Sequence, residues 1–200
     1  MSAWATARET MFGEPYMVWH DGPEFSGLRA EWKRDPEALL ELLFEGMAEN
    51  DALAAQSLSE LDPPPTGELA LRVIDKLTQH LATSGPLAVV QISRTLYRLT
   101  GSTVTMQPIL DVLDSSVHWS DRIDAAIALR DFPPSEAGKA CLLRNVQAED
   151  YLVRYHSATT LLRWAGVSTP IEDDDALFTL LVKDEDPDAW AQVAAALETL

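Results

Sequence analysis

Five stretches of this chain place a small residue three positions before a leucine, and they recur at intervals of 32 to 38 residues. They are "DALAAQSLSEL" (51–61), "LAVVQISRTLYRLTG" (87–101), "DRIDAAIALRDF" (121–132), "LVRYHSATTLLRWAG" (152–166) and "DAWAQVAAALETL" (188–200). The aligned pairs are Ala55/Leu58, Ser93/Leu96, Ala126/Leu129, Ala158/Leu161 and Ala194/Leu197. A small residue in mid-helix lets a second helix axis come close, and a leucine one turn on fills the groove beside it. Recurrence at this interval means that the same contact is made repeatedly between like units, none of which can bury its apolar face alone.

Between these copies lie 37–49, 68–82, 108–117, 136–147 and 175–184, whose apolar residues return at three and four positions, as Leu39, Leu42, Leu43 and Met47 do. That period predicts amphipathic helices, and no period-two pattern competes with it. The expected fold is all-α, about five antiparallel helical hairpins. Punctuation agrees: Asp35-Pro36 and Asp186-Pro187 set a capping acid before proline at the first helical position, and "DPPP" (62–65), Gly101, "FPP" (132–134) and Gly166 stop helices.

The pattern resembles the HEAT-repeat family, whose second helix opens with Asp-Pro and continues with an aliphatic-Arg pair, a small-residue pair and Leu. Residues 152–166 match with Val153-Arg154, Ser157-Ala158 and Leu161; residues 184–200 match with Asp186-Pro187, Val193-Ala194 and Leu197. The resemblance implies an α-solenoid, or α-α superhelix, over 36–200, with the second helices on one concave face and Arg154 bonding neighbouring repeats. The motif's Arg is kept at Arg122 and Arg154 and replaced by Asp51, Val89 and Trp190. Residues 1–35 stand apart: Trp4, Phe12, Tyr16, Trp19, Phe25 and Trp32 are interleaved with Gly13, Pro15, Gly22, Pro23 and Gly27, without helical period. So dense an aromatic leader is expected to pack on or cap the repeats. The last helix, ending "AAALETL", lacks a polar cap and is expected to self-associate.

The chain has 32 acidic and 15 Lys and Arg residues, a formal net charge of −17. Such a field opposes phosphate backbones, which disfavours nucleic acid and, with it, the HEAT-like DNA glycosylases that Trp119, Arg122, Asp124 and Asp131 bring to mind. The same field speeds encounter with a basic protein. A lone cysteine, Cys141, excludes an intramolecular disulfide, and the absence of a membrane-length apolar run or a secretory leader leads us to expect a cytoplasmic protein without membrane attachment.

No phosphate-loop, dinucleotide, nucleophile-elbow or zinc-protease motif occurs. His80, His118 and His156 are evenly spaced at 38 residues but fall on different parts of the hairpins, and none is followed by the Glu of HEAT-like iron hydroxylases, so no metal or other cofactor is expected. The acidic runs "EDDD" (172–175) and "DEDPD" (184–188) precede helices, where carboxylates complement the helix dipole. The cluster Arg154, Ser157, Ala158 and Thr160 reads as packing rather than catalysis. Outward positions of the second helices give an expected partner-binding face of Gln56, Gln91, Arg94, Arg98, Asp124, Ile127, Asp131, Tyr155, His156, Thr159, Arg163 and Gln192. This mixture of Arg, aromatic and acidic residues suits a non-enzymatic protein-binding module. Small acidic HEAT-like proteins resemble immunity proteins, which neutralise a toxin, here expected to be basic. A scaffold or assembly role, as in HEAT-like chromophore lyase subunits, is the alternative.

Overall fold

A computed structural model describes residues 2–61 and 64–200; Asp62 and Pro63 of "DPPP" and the side chain of Trp19 lie outside the described residues. Among the described residues the fold is all-helical and contains no strand. The sequence leads us to expect a single domain overall, a leader over 1–35 and a repeat domain over 36–200, whereas the chain divides into two compact units, Met1–Ser102 and Thr103–Leu200.

The first unit holds α1 (Ala3–Phe12), α2 (Pro15–Asp21), α3 (Ser26–Arg34), α4 (Pro36–Ala48), α5 (Ala52–Ser59), α6 (Gly67–Leu81) and α7 (Pro86–Thr100). The second holds α8 (Met106–Ser115), α9 (Trp119–Ala128), α10 (Glu136–Asn145), α11 (Tyr151–Trp164), α12 (Asp175–Leu181) and α13 (Pro187–Glu198), with 3-10 turns at Thr103–Thr105, Leu129–Asp131 and Ile171–Asp173. The helices from α4 onward fall where apolar period and caps place them. Asp35, Asp150, Asp174 and Asp186 each accept from the backbone N–H three residues on, satisfying a first-turn donor that has no partner within the helix. Gly101 ends α7 in the left-handed conformation, with φ of 67°, which an L side chain rarely adopts.

The leader departs from expectation in being three helices. Its aromatics supply core: Trp4 is 1% exposed, and Phe12, Leu28 and Trp32 are buried with it. Helices α1 and α3 both pack on α4. The Trp4 ring takes the space that a side chain at Gly46 would need, since a Cβ there would stand 2.6 Å from the indole carbons. Asp51, in place of the motif's Arg, accepts from Trp4 Nε1 at 2.9 Å and Arg8 Nε at 3.0 Å while capping Leu53 N. One carboxylate therefore fastens α1 to the start of α5.

All five aligned small residues and all five leucines are buried. In the first unit α5 packs on α7; in the second α9 packs on α11 and α11 on α13, so the copies of the motif meet one another. Between α9 and α11 the approach is close enough for the Thr160 hydroxyl to reach the Ala126 carbonyl at 2.8 Å. Among the described residues the buried hydroxyls of Ser93 and Ser157 in this ridge have no hydrogen-bond partner, so these positions select for size, and polarity is tolerated.

Arg154 is fully buried in α11. Its guanidinium donates to the carbonyls of Ala148 and Glu149 before α11, at 2.9 and 2.7 Å, and to those of Leu181, the last residue of α12, and Lys183 just beyond it, at 3.1 and 3.3 Å. Trp190, which stands in the motif's Arg position of the following copy, lies 4.2 Å from it and donates its own N–H to Lys183 O. The expected bond between neighbouring pairs is thus made through backbone carbonyls. Lysine cannot present this planar fork, and removing the donors strands the buried carbonyls of Ala148 and Leu181. Arg154→Lys is expected to cost about 3 kcal/mol in urea unfolding, within the range for breaking a buried charge network; a loss no greater than that of a surface Arg→Lys control contradicts this role.

Candidate functional site

In the second unit the expected partner-facing residues of α11 lie on a helix that packs against α9. His156, Thr159, Thr160 and Arg163 follow one stripe of α11 at helical spacing, and the 3-10 turn Leu129–Asp131 carries Arg130 across it. Arg130 donates from Nε to Thr160 Oγ1 at 3.1 Å and from a terminal nitrogen to His156 Nδ1 at 3.0 Å. A guanidinium can only donate, so Nδ1 is the bare nitrogen and the imidazole carries its proton on Nε2. Burial first, and the Arg130 charge second, hold the His156 pKa below its usual value.

Tyr155 packs edge-on to the His156 ring, with centroids 5.0 Å apart, and its hydroxyl donates to Glu172 from the 3-10 turn before α12. That bond raises the Tyr155 pKa and lowers that of exposed Glu172, keeping phenol and carboxylate in their donor and acceptor forms. Thr159 turns its hydroxyl back to the Tyr155 carbonyl at 2.8 Å. The stripe is held by its own scaffold, with Arg163 left projecting from its end.

The remaining expected residues divide. Asp124 and Ile127 are half-buried on α9, Asp131 is exposed at the end of the turn, and exposed Gln192 on α13 donates to Asp188 O. Gln56, Gln91, Arg94 and Arg98 belong to the first unit. Gln56 is half-buried on α5. Gln91 is buried, which takes it off any exposed face, and its amide oxygen accepts from Arg94. Arg98 bends back to the Ser59 and Leu61 carbonyls at the end of α5, so its guanidinium closes a helix terminus. Arg122, weighed with Asp124 and Asp131 as a glycosylase-like set, likewise serves the scaffold, bonding Leu113 O at 3.1 Å and Asn145 Oδ1 at 2.7 Å.

Arg130 escaped the sequence reading because 121–132 reads as one uninterrupted helix. The last turn tightens at Leu129, and that change of pitch brings position 130 onto α11. Cys141 offers no reactive thiol: burial, then neighbouring Asp114, push its pKa up to about 12. Among the described residues no group of three or more His, Cys, Asp or Glu could hold a metal ion, and no helix is long and apolar enough to cross a membrane.

Protonating His156 removes the acceptor for Arg130 and adds a cation beside it. With the folded pKa below 6.5, the unfolded chain takes up this proton first, so stability from His156 is complete above 6.5 and is lost as pH falls from there through the folded pKa. Thermal melts between these limits are expected to show a pH slope that shrinks in His156→Gln, whose amide oxygen can still accept from Arg130; an unchanged slope contradicts the neutral assignment.

Comparison of the chain with protein-family models, with curated proteins and with solved structures finds no match in any of the three, so the likeness to HEAT repeats rests on the motifs of 152–166 and 184–200.

Proposed function

We propose that the chain is a non-enzymatic protein-binding module whose two units are each a short HEAT-like stack of antiparallel helical pairs, and that it acts in the cytoplasm as an immunity protein against a basic toxin. Support for the stack comes from which helices touch. In the first unit α4 meets α6 and α5 meets α7; in the second α8 meets α10, α9 meets α11 and α11 meets α13, as when first helices stack on first and second on second, while at the last pair α10 meets α13.

The observation that carries the binding role is the pre-ordered stripe of Arg130, Tyr155 and His156. Tyr and Arg dominate the energetics of protein interfaces, and side chains already locked by hydrogen bonds lose less entropy when a partner arrives. A net charge of −17 favours a basic partner and makes the encounter sensitive to salt. Self-association through α13 belongs to the same proposal, since Leu200 just beyond it is 56% exposed.

Co-expression with the product of the adjacent gene tests this reading. The expected outcome is a stable complex that weakens as salt rises, relief of any growth arrest that the neighbour causes, and a loss of about 2 kcal/mol of affinity in Tyr155→Ala, as for an interface anchor. Absence of a complex, or one indifferent to both salt and Tyr155, overturns it.

A further inference from the structure

The second unit holds a cavity of about 230 Å³ where the start of α10, the end of α11 and the end of α13 come together. Its walls are apolar: Leu161 and Trp164 from α11, Leu197 from α13 and Leu200 just beyond it. The Trp164 ring is held on two sides. Its N–H donates to the Leu129 carbonyl at 3.2 Å, and its far edge lies over Gly138, where a Cβ would stand 2.7 Å from the ring. The wall is therefore set before any ligand arrives. Two charged side chains of α10, Glu136 and Lys139, complete the lining. They stand three positions apart, the spacing of a helical ion pair, which puts Cβ atoms about 5–6 Å from each other. No such pair forms, and neither side chain makes a hydrogen bond or ion pair among the described residues. Lys139 is half-buried and Glu136 exposed.

Partly desolvating an ammonium with no anion beside it costs free energy, which a ligand carboxylate recovers. We propose that this cavity binds a free apolar α-amino acid of the leucine or phenylalanine class. Its carboxylate meets Lys139, its ammonium meets Glu136, and its side chain lies against Trp164 and the leucines. An α-amino acid carries both charges on one carbon, so two long side chains on one face of a helix can close on it. The pairing of charges selects against simpler ligands: a bare acid meets Glu136 as well as Lys139 and is repelled by the −17 net charge, and a bare amine meets Lys139. A zwitterion has no net charge, so the long-range field leaves it alone and recognition rests on the cavity. Size agrees, since an apolar cavity of about 150 Å³ holds one benzene molecule. The larger volume here takes one apolar side chain with its charged groups at the mouth. The cavity shares no residue with the stripe of Arg130, Tyr155 and His156, and the proposal stands or falls apart from the immunity reading. Leu200 does belong also to the proposed self-association through α13, so a second copy is the rival occupant.

The test is a titration of the intact protein with L-leucine and L-phenylalanine at constant ionic strength, following the Trp164 indole signals by NMR, with sedimentation at each end of the titration. Phenylacetate, which lacks the ammonium, phenethylamine, which lacks the carboxylate, and glycine, which lacks the side chain, are titrated in parallel. The expected result is a saturable shift with at least one of the two apolar amino acids. Phenylacetate, phenethylamine and glycine are each expected to bind about tenfold more weakly or not at all, each having lost one of the three contacts. Lys139→Gln and Glu136→Gln are expected to weaken the amino acid by a similar factor; neither removes a hydrogen bond or ion pair of the described structure, so the fold is left intact. No saturable shift with either amino acid, phenylacetate or phenethylamine binding as tightly as phenylalanine, or affinity unchanged in both variants, overturns the proposal. So does a dimer that shifts the Trp164 signals by itself and shuts the amino acid out, which assigns the cavity to a second copy.

Discussion

The close meeting of helices at small side chains is the constraint from which the rest follows. Ala126 on α9 and Ala158 on α11 are both fully buried, the two helices pack on each other, and the Thr160 hydroxyl reaches the Ala126 carbonyl. Leucines one turn on, Leu129 and Leu161 among them, fill the grooves this approach creates, each contributing about 2 kcal/mol of burial. Arg154 works differently. Its desolvation cancels much of what its bonds return, so it fixes how the turn before α11 meets the end of α12 and adds little net stability.

That constraint is written plainly in the sequence because it depends on residue size at a regular interval. The same is true of the caps, where Asp before Pro leaves few alternatives to a helix start. The leader was not legible in this way. Helix α1 buries Trp4 and Phe12, eight residues apart, too sparse a stripe to register as a period, and what holds it is remote: the space at Gly46 and the carboxylate of Asp51. Asp51 is visible in the sequence only as a missing arginine, and its two partners lie more than forty positions away.

The candidate site was legible in part. Tyr155, His156, Thr159 and Arg163 follow from helix phase alone, and the structure brings them together on α11. Phase alone also placed Gln91 outward, and there it failed, because Gln91 is buried. Arg98 is exposed as phase places it, while its guanidinium turns back to the carbonyls of Ser59 and Leu61 at the end of α5. Arg130 lay hidden behind a local tightening of the helix that composition does not announce. It puts a half-buried cation, ordered by a threonine and a neutral histidine, on the stripe that the functional reading uses.

Equilibrium unfolding of Ala158→Leu beside Thr159→Leu tests the central claim most directly, because the two positions are adjacent in sequence and differ in whether a helix lies against them. Overfilling the contact at Ala158 is predicted to cost about 2 kcal/mol or more, while the same side chain at half-exposed Thr159 leaves stability nearly unchanged. Equal effects at the two sites, or a stabilised Ala158→Leu, would contradict the close approach on which this account of the fold and its binding face is built.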